Sequence, residues 1–515
     1  MGELAARVKN ATQRFARRAV VARVADRSWR GQALAVVAAL GLMVFMVRVI
    51  GAGWPKHFTI FFPDSFSFKH VAALTPFDPG FYAAERPIAF PTLLFLLGRS
   101  TVVTVVVQTF LYGLAYIFIA MTAWRLLRNR EAGVVCAFLL LTIGLEPRFA
   151  LWNSHILSES FGMTLAVLSV AGWWRFSTVP TVRNLNYAGI ATVGWLTVRD
   201  SNVPNWIAVG VPALLIASFW WRSAGPRLRR ALRYWGVAML IVCIGVALTQ
   251  SANGRNRYAT INNVGTRVLP DKEITKWFED QGMPVDDKLL ARTGQSSFDK
   301  SWDMLTNADL TEFRKWADGS GQRVMLESYV RFLPHWLDKL SDDLPVILRS
   351  DLSGYDAFGV ANRLPDAAPA QINGPTTRTG LAVWTAISVA ALVLAAVRRR
   401  GLQAIVLGLL LASTFVDLYM AYIGDSVEVQ RHMVGPLSRM ALIMVICFGI
   451  GIDTLIGLVP PRRRAASQSS TAGQPPVLPP AAESSASSGV ADEVADDAAD
   501  DAADEAPALV GSEVT

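Results

Sequence analysis

Long apolar runs alternate with short polar segments along most of the chain. A helix that crosses about 30 Å of hydrocarbon needs roughly 20 predominantly apolar residues. Ten runs approach this length: residues 32–53, 101–124, 132–146, 156–174, 185–198, 203–221, 234–250, 379–397, 401–423 and 434–459. The pattern predicts an all-α polytopic membrane protein with about ten transmembrane helices, of which the third and fifth are short for a span.

Arginine and lysine concentrate in every second connection between these runs. The basic segments are the N-terminal arm and residues 125–130, 175–183, 222–233, 398–400 and 462–464. Cytoplasmic loops of membrane proteins carry an excess of these residues, so we expect all six segments and both termini in the cytoplasm. The outer connections are then residues 54–100, 147–155, 199–202, 251–378 and 424–433.

This topology predicts five successive parts of the chain. They are a basic cytoplasmic N-terminal arm (1–31), an N-terminal transmembrane module of about seven helices (32–250) with the first outer loop (54–100), an extracytoplasmic domain (251–378), a C-terminal transmembrane module of about three helices (379–459) and a disordered acidic cytoplasmic tail (460–515). Amphipathic stretches such as VMLESYVRFLPHWLDKLSDDL predict a mainly helical outer domain. The tail combines many acids with few bulky apolar residues, which is typical of disorder.

Composition supports a membrane protein and removes several functional classes. The chain is 52% hydrophobic and 17% charged, with a mean hydropathy of +0.33. Ten of the 41 acids and none of the 49 Lys and Arg follow residue 482, so the rest of the chain is strongly basic. We attribute this basic excess to cytoplasmic loops, because no nucleic-acid motif accompanies it. The three cysteines lie in apolar runs and predict neither a disulfide framework nor a Cys/His metal site.

Charged and histidine side chains collect at the predicted outer ends of the runs. The candidates are Asp64, Arg86, His155, Glu159, Arg199, Arg431 and His432. Asp417 joins them by position, because it lies sixteen residues into the run at 401–423, about 24 Å along a helix. An embedded charge costs about 2.5–3.5 kcal/mol on insertion scales, so such residues usually face a cavity or a partner. Two interpretations fit: interfacial side chains that reach water, or one polar site. Glu159 also fits a first-turn acid that the helix dipole stabilises.

Four short stretches carry a recognisable pattern. They are DSFSF followed by ERPIAFPTLLFLLG in the first outer loop, then HILSESFGMTLAVLSVAGWWR, TVRDSNV and QRHMVGPLSRMALIM. Together with the order of apolar runs over residues 32–459, they resemble GT-C superfamily membrane glycosyltransferases of the protein-mannosyltransferase and aminoarabinose-transferase type. The chain differs from the pattern common in that family at three positions. Many members carry a second acid where this chain has Ser65, and a Tyr where it has Phe68 or His432.

The resemblance implies an integral-membrane glycosyltransferase of the cell (plasma) membrane with an extracytoplasmic active site. Such an enzyme transfers a sugar from a polyprenyl-phosphate-linked donor to a glycan, lipid or protein acceptor of the cell envelope. By position, the resemblance implies that Asp64 is the general base and that substrate is bound by Arg86, Glu159, Arg199, Arg431, His155 and His432. It implies no required cofactor and no metal-ligating residue, although a divalent cation is compatible with the chemistry. The expected partners are donor, acceptor and membrane lipids, and not nucleic acid.

Other classes fit the same residues. A secondary transporter also uses embedded acids and helices interrupted at Gly or Pro, and a non-catalytic lipid-binding membrane protein or an outer-face polymerase or ligase of lipid-linked glycans would carry similar charges. Against transport, the charged residues lie at the outer ends of the runs instead of the midplane, and the sequence shows no internal repeat. No Walker A, HExxH or GxSxG motif occurs in a suitable context.

Overall fold

The computed structural model describes residues 41, 43, 59–252, 254, 256–299, 303–349 and 375–458. These residues are helical apart from their connections and one isolated β-bridge between Ile60 and His155. The predicted all-α class is therefore confirmed for this part of the chain. The predicted N-terminal arm and acidic tail, and nearly all of the predicted span at 32–53, lie outside the described residues.

The first outer loop contains three helical segments. They are α1 (Pro63–Ala73), a single turn at Pro79–Tyr82, and α2 (Ala89–Leu96). Proline begins the first two, where its missing N–H is harmless because the first N–H groups of a helix have no intrahelical partner. The side chain of Asp78 caps the second segment by accepting from the Gly80 N–H at 2.7 Å. Asp64, expected in a loop, thus lies in the first turn of a helix.

The remaining long helices follow in chain order. They are α3 (Thr101–Leu126), α4 (Arg130–Leu145), α5 (Ser158–Thr178), α6 (Val182–Leu196), α7 (Asn202–Trp220), α8 (Pro226–Ala252), α9 (Asn256–Asn263), α10 (Lys272–Asp280), α11 (Gln322–Arg331), α12 (Leu333–Arg349), α13 (Arg378–Val397), α14 (Gly401–Gly424) and α15 (Val429–Ile456). Shorter helical turns lie at Pro147–Ala150, Leu151–Ser154, Val264–Val268, Asp287–Leu290, Asp303–Thr306, Ala308–Leu310, Thr311–Trp316 and Ala317–Gly321. A π-helical stretch, Trp206–Gly210, forms part of α7.

Six helices are long and apolar enough to cross a membrane, namely α3, α7, α8, α13, α14 and α15. Together with Pro147–Ser154, α4 forms a further pair bent by 55°, which gives up to seven candidate spans in the described residues. These helices indicate an integral multi-pass membrane protein. Helices also form at the predicted spans 156–174 and 185–198, but they fall outside this group. α6 has only 15 residues, and α5 carries Glu159, Arg175 and several hydroxyl side chains, which lower its hydropathy.

The centre of the helix bundle is α15. Most of its side chains are buried, and it packs against α4, α5, α13 and α14. In turn, α5 packs against α3 and α6. A Cβ added at Gly172 of α5 would lie 2.7 Å from the Ala188 Cα of α6, so this close helix contact requires glycine. A side-chain contact between Glu159 and Arg431 shows that α5 and α15 begin at the same end of the bundle.

The segment between α8 and α13 closes the end of α14. Asn263 Nδ2 donates to the Ile423 carbonyl at 3.0 Å, and Tyr329 Oη donates to the same carbonyl at 2.5 Å. Arg267 Nη1 donates to the Tyr422 carbonyl at 2.5 Å. The last four carbonyls of a helix have no intrahelical partner, so these side chains cap α14. The described part of this segment is helical, as its amphipathic pattern predicts.

At the opposite end of the bundle, Asp453 joins three helices. Its carboxylate accepts from the Asn129 N–H, just before α4, at 2.6 Å. It also accepts from Arg400 Nη2, just before α14, at 2.7 Å. Asp453 itself lies in the last turn of α15 and its side chain is fully buried. A buried carboxylate with such partners fixes the relative positions of the helix ends.

Candidate active site

Six of the seven predicted site residues lie at helix ends on one side of the bundle. They are Asp64 in the first turn of α1, Arg86 just before α2, Glu159 in the first turn of α5, Arg199 just after α6, and Arg431 and His432 in the first turn of α15. Backbone hydrogen bonds fix the first loop there. Ile60 pairs with Ser154 and Ile156, just before α5, at 2.8 and 3.1 Å. The Ala89 N–H donates to the Thr197 carbonyl, just after α6, at 3.2 Å.

Arg431 binds three carboxylates at once. Its Nη2 lies 2.9 Å from Asp64 Oδ2, and its Nε lies 2.6 Å from Glu159 Oε1. Its Nη1 lies 2.8 Å from Glu428 Oε2. The Arg431 side chain is only 5% exposed, so its three nitrogens are engaged by acids away from bulk water. A planar guanidinium suits this position because its donors point in fixed directions, whereas a Lys ammonium is a single point charge.

A second arginine binds Asp64. Arg86 Nη2 donates to Asp64 Oδ1, and Arg86 Nε donates to Ser67 Oγ one turn further along α1. The guanidinium carbon of Arg86 also lies 5.0 Å from the centre of the Phe68 ring. Two cationic neighbours favour the ionised form of a carboxylate. The Asp64 side chain is nevertheless 30% exposed, so a substrate can reach it.

Glu159 is the buried acid of the site. Its side chain is 1% exposed and lies 3.4 Å from Arg199 Nη1, in addition to its contact with Arg431. Its other oxygen, Oε2, is buried and has no hydrogen-bond partner within the described residues. The position in the first turn of α5 agrees with the expected first-turn acid, where the helix dipole favours a negative charge. Glu159 therefore combines both interpretations, as a helix-end acid and as a member of the polar site.

Arg199 links the buried acid to His432. Its Nη2 lies 2.9 Å from His432 Nδ1, so this ring nitrogen accepts the hydrogen bond. The Arg199 side chain is 13% exposed, more than that of Arg431. Its separation from Glu159 is also longer than either close contact of Arg431 with the acids. Arg199 thus makes a weaker contact with Glu159 than Arg431 does.

The connection between α14 and α15 positions Arg431 and adds Glu428, a site residue that the sequence analysis did not select. Asp425 Oδ1 accepts from the Val427 N–H and from Asn262 Nδ2, each at 3.0 Å, and burial raises the pKa of this carboxyl. Glu428 follows with φ of 57°, in the left-handed region that non-glycine residues rarely adopt. The spacing of three residues between Glu428 and Arg431 is the signal that could have identified the pair.

His155 occupies a packed interior position. Its ring lies 5.4 Å from the Phe62 ring and 5.0 Å from the Trp152 ring, measured between centroids. Its Nδ1 lies 3.1 Å from the Leu151 carbonyl oxygen, and the residue is fully buried. These contacts are typical of a structural histidine beside the bridge to Ile60. Its role in substrate binding stays a prediction that no contact among the described residues supports.

Asp417 forms a separate ion pair inside the bundle. Its Oδ2 lies 3.1 Å from Arg439 Nη2, and both side chains are buried. The Arg439 guanidinium carbon lies 4.6 Å from the centre of the Trp195 ring. Asp417 precedes the last residue of α14 by seven residues, which is roughly 10 Å along the helix. Its direct partner is Arg439, and Arg199 of the site lies within electrostatic range.

The arrangement is chemically suited to phosphate binding and proton transfer. Two arginines bind the partly exposed carboxylate of Asp64, and Arg199 binds the neighbouring Glu159. Guanidinium groups bind phosphate oxygens bidentately. Among the described residues, no group of three His, Cys, Asp or Glu side chains could hold a metal ion. The expectation that no cofactor is required stays a prediction. The sequence matches no protein-family model and no curated protein.

Proposed function

We propose that the chain is an integral-membrane glycosyltransferase that moves a sugar from a polyprenyl-phosphate donor to an extracytoplasmic acceptor of the cell envelope. The observation that carries the proposal is the contact of Arg431 with Asp64, Glu159 and Glu428. Three distant parts of the sequence contribute to these contacts, and Arg199, from the stretch TVRDSNV, joins them through Glu159. A lipid-linked donor also explains a polar site at the end of a helix bundle, because its chain stays in hydrocarbon while its head group meets the helix ends.

The proposed topology has about ten spans, with both termini in the cytoplasm and the site outside. Charge at the two ends of the bundle supports it. Arg125 and Arg175 lie in the last turns of α3 and α5, and Arg400 lies just before α14, all at the end away from the site. Because cytoplasmic ends of spans are enriched in Arg and Lys, the site faces the extracytoplasmic side.

The proposed reaction needs a base and a place for the leaving phosphate. The acceptor hydroxyl attacks the anomeric carbon and transfers its proton to the Asp64 carboxylate. The bond between the anomeric carbon and the phosphate oxygen breaks, and its electron pair leaves with the polyprenyl phosphate. Arginine guanidinium groups stabilise the negative charge that develops on this phosphate.

Donor binding is expected to release the base. Before substrate arrives, Arg86 and Arg431 both bind Asp64, which holds the carboxylate in its ionised form but occupies its oxygens. A phosphate brings further anionic oxygens that compete for the same guanidinium groups. As the arginines turn to the phosphate, Asp64 becomes free to accept a proton. The ion pairs thereby couple the availability of the base to the presence of donor.

Replacing Arg199 by Lys should weaken donor binding by about tenfold or more. A hydrogen bond to a charged group contributes about 1.5–3 kcal/mol, and Lys keeps the charge while it loses the bidentate geometry. Arg431→Lys should act in the same direction. Equilibrium binding of a short-chain polyprenyl phosphate to the full-length chain measures the effect. Arg257→Lys, in the outer segment, is the control, and unchanged affinity in both site variants would remove these arginines from the donor site.

The proposed orientation predicts a specific pattern of chemical labelling. The three native cysteines are buried, so they give little background with a membrane-impermeant thiol reagent. In intact cells, Lys276→Cys should react and Arg227→Cys should react only after permeabilisation. Other positions within 260–370 and 222–233 should behave like these two. Labelling of both variants from the same side would contradict the topology.

A secondary transporter is the second candidate, and the Asp417–Arg439 pair is the observation that favours it. Both charges are buried inside the bundle, and Asp417 Oδ1 has no hydrogen-bond partner in the described part of the chain. Embedded ionisable residues of this kind often mark ion or substrate pathways. A non-catalytic lipid-binding protein would use the outer arginines without turnover. A polymerase or ligase of lipid-linked glycans would use the same site with a different acceptor.

A further inference from the structure

The surface of the bundle has an apolar groove outside the candidate active site. An apolar groove of about 500 Å³ runs between α3 and α5. On α3 it is lined by Leu111, Leu114, Ala115, Phe118 and Met121, among others. Its volume is within the range of about 300–1,000 Å³ that is typical of small-molecule sites.

Two arginines continue this groove at the end of the bundle that lies away from the site. Arg125 follows Met121 by four residues on α3, and Arg175 follows Leu168 by seven residues on α5. Because residues four and seven apart share a helix face, both arginines lie on the stripes that line the groove. A direct contact confirms this for Arg175, whose guanidinium carbon lies 5.4 Å from the centre of the Phe118 ring.

Neither arginine has an acidic partner in the part of the chain that the structure describes. Within the described residues, neither Arg125 nor Arg175 forms a side-chain hydrogen bond or ion pair, and both are only partly buried. Arg183, at the beginning of α6, lies within electrostatic range of Arg175 and adds a third positive charge. Three close cations without a carboxylate repel one another, so an external anion would stabilise them.

We propose that the groove holds an acyl chain of an anionic phospholipid, whose phosphate is bound by Arg125 and Arg175. The apolar walls match a hydrocarbon chain, and the positive charges at one end match an anionic head group. The groove runs from Leu111 to Met121 on α3 and from Phe161 to Leu168 on α5, so Met121 and Leu168 are its lining residues nearest to the arginines. With the proposed orientation, the lipid comes from the cytoplasmic leaflet.

This lipid site is distinct from the proposed transfer site. A donor in transfer position must place its phosphate at Arg199 and Arg431, at the other end of α5 and α15. The phospholipid is bound by charges at the cytoplasmic end and does not react. The proposed phospholipid site therefore does not depend on whether the chain transfers a sugar.

Native mass spectrometry of retained lipids tests the proposal. The full-length chain is reconstituted in vesicles of equal parts phosphatidylglycerol and phosphatidylcholine, and then extracted gently. Wild-type protein should retain phosphatidylglycerol preferentially, and R125Q/R175Q should lower the ratio of the two retained lipids by about tenfold, since each charge-assisted contact contributes about 1.5–3 kcal/mol. R222Q/R227Q, which removes two exposed arginines outside the groove, should leave the ratio unchanged.

A groove-filling variant gives a second test that keeps all charges. Leu114→Trp places a larger side chain in the groove and should lower phosphatidylglycerol retention. Phe110→Trp, at an exposed position of the same helix, should not lower it. Equal losses of phosphatidylglycerol retention in R222Q/R227Q and R125Q/R175Q would show general attraction between positive charges and anionic lipid, and would overturn the proposal. The proposal would also be overturned if neither R125Q/R175Q nor Leu114→Trp changed phosphatidylglycerol retention. That result is expected if another segment of the chain fills the groove. Displacement of the phospholipid by added polyprenyl phosphate, with binding that depends on Arg125 and Arg175, would assign the groove to the donor instead.

Discussion

Replacing Asp64 by Asn should lower the rate of sugar transfer by about two to four orders of magnitude. A positioned general base typically contributes about 10²–10⁴ in rate, and Asn keeps the shape of Asp but cannot accept the proton of the acceptor. The amide oxygen can still accept a hydrogen bond from one of the two arginines. Arg86 keeps its contact with Ser67, and Arg431 keeps its contacts with Glu159 and Glu428, so folding and donor binding should survive. Initial rates at saturating donor measure the effect.

Asp78→Asn is the matched control for this variant. Asp78 lies in the same first loop and caps the turn at Pro79–Tyr82, a function that Asn performs equally well. It should therefore leave the transfer rate close to that of the wild type. Near-normal turnover of Asp64→Asn would instead show that Asp64 is not the base and that it is only an acid at the beginning of a helix.

Replacing Arg431 by Gln should destabilise the protein by about 3–5 kcal/mol, because removal of one partner from a buried ion pair leaves an uncompensated charge. Glu159, with a side chain that is 1% exposed, would carry most of this cost. Asp64 and Glu428 would lose the same partner but are partly exposed. The free energy of unfolding of the purified chain in detergent measures the loss.

A double variant separates the ion pair from simple loss of packing. Glu159→Gln in the Arg431→Gln background should restore part of the lost stability, because it removes a buried charge whose remaining cationic contact is Arg199 at 3.4 Å. Arg323→Gln is the control for an arginine in a surface pair. Its side chain is 66% exposed and pairs with Glu327 one turn away, so the change should cost about 0–1 kcal/mol. Additive losses from the two site substitutions would contradict coupling between Arg431 and Glu159.

Local signals in the sequence correctly predicted much of the bundle. The apolar runs that became α3, α13 and α14 have lengths and boundaries close to those observed, because a long continuous run fits only a span or a fully buried helix. The beginning of α5 was also predictable, since an acid in the first turn follows a general preference. The short helices of the first loop were not, because prolines and tertiary contacts define them, and neither produces an apolar period.

The periodicity of apolar residues could not predict which charged side chains pair with each other. Asp417 was recognised as embedded, but its pairing with Arg439 depends on how α14 packs against α15. The same holds for Asp453, whose partner Asn129 lies 324 residues away in sequence. His155 was selected because it lies at the predicted outer end of an apolar run, and its ring packs against Phe62 and Trp152. A sequence pattern identifies polar positions near one level, and only packing decides which of them touch.

The most direct measurement is release of polyprenyl phosphate by the purified full-length chain in detergent, supplied with a panel of polyprenyl-phosphate sugars and an envelope extract as acceptor. Detergent removes the compartments that transport requires, so only a transferase can show turnover under these conditions. We expect time-dependent release from at least one donor, and loss of that release in Asp64→Asn. No release above the Asp64→Asn level from any donor, together with solute flux by the wild type in sealed vesicles, would contradict glycosyl transfer and favour a transporter.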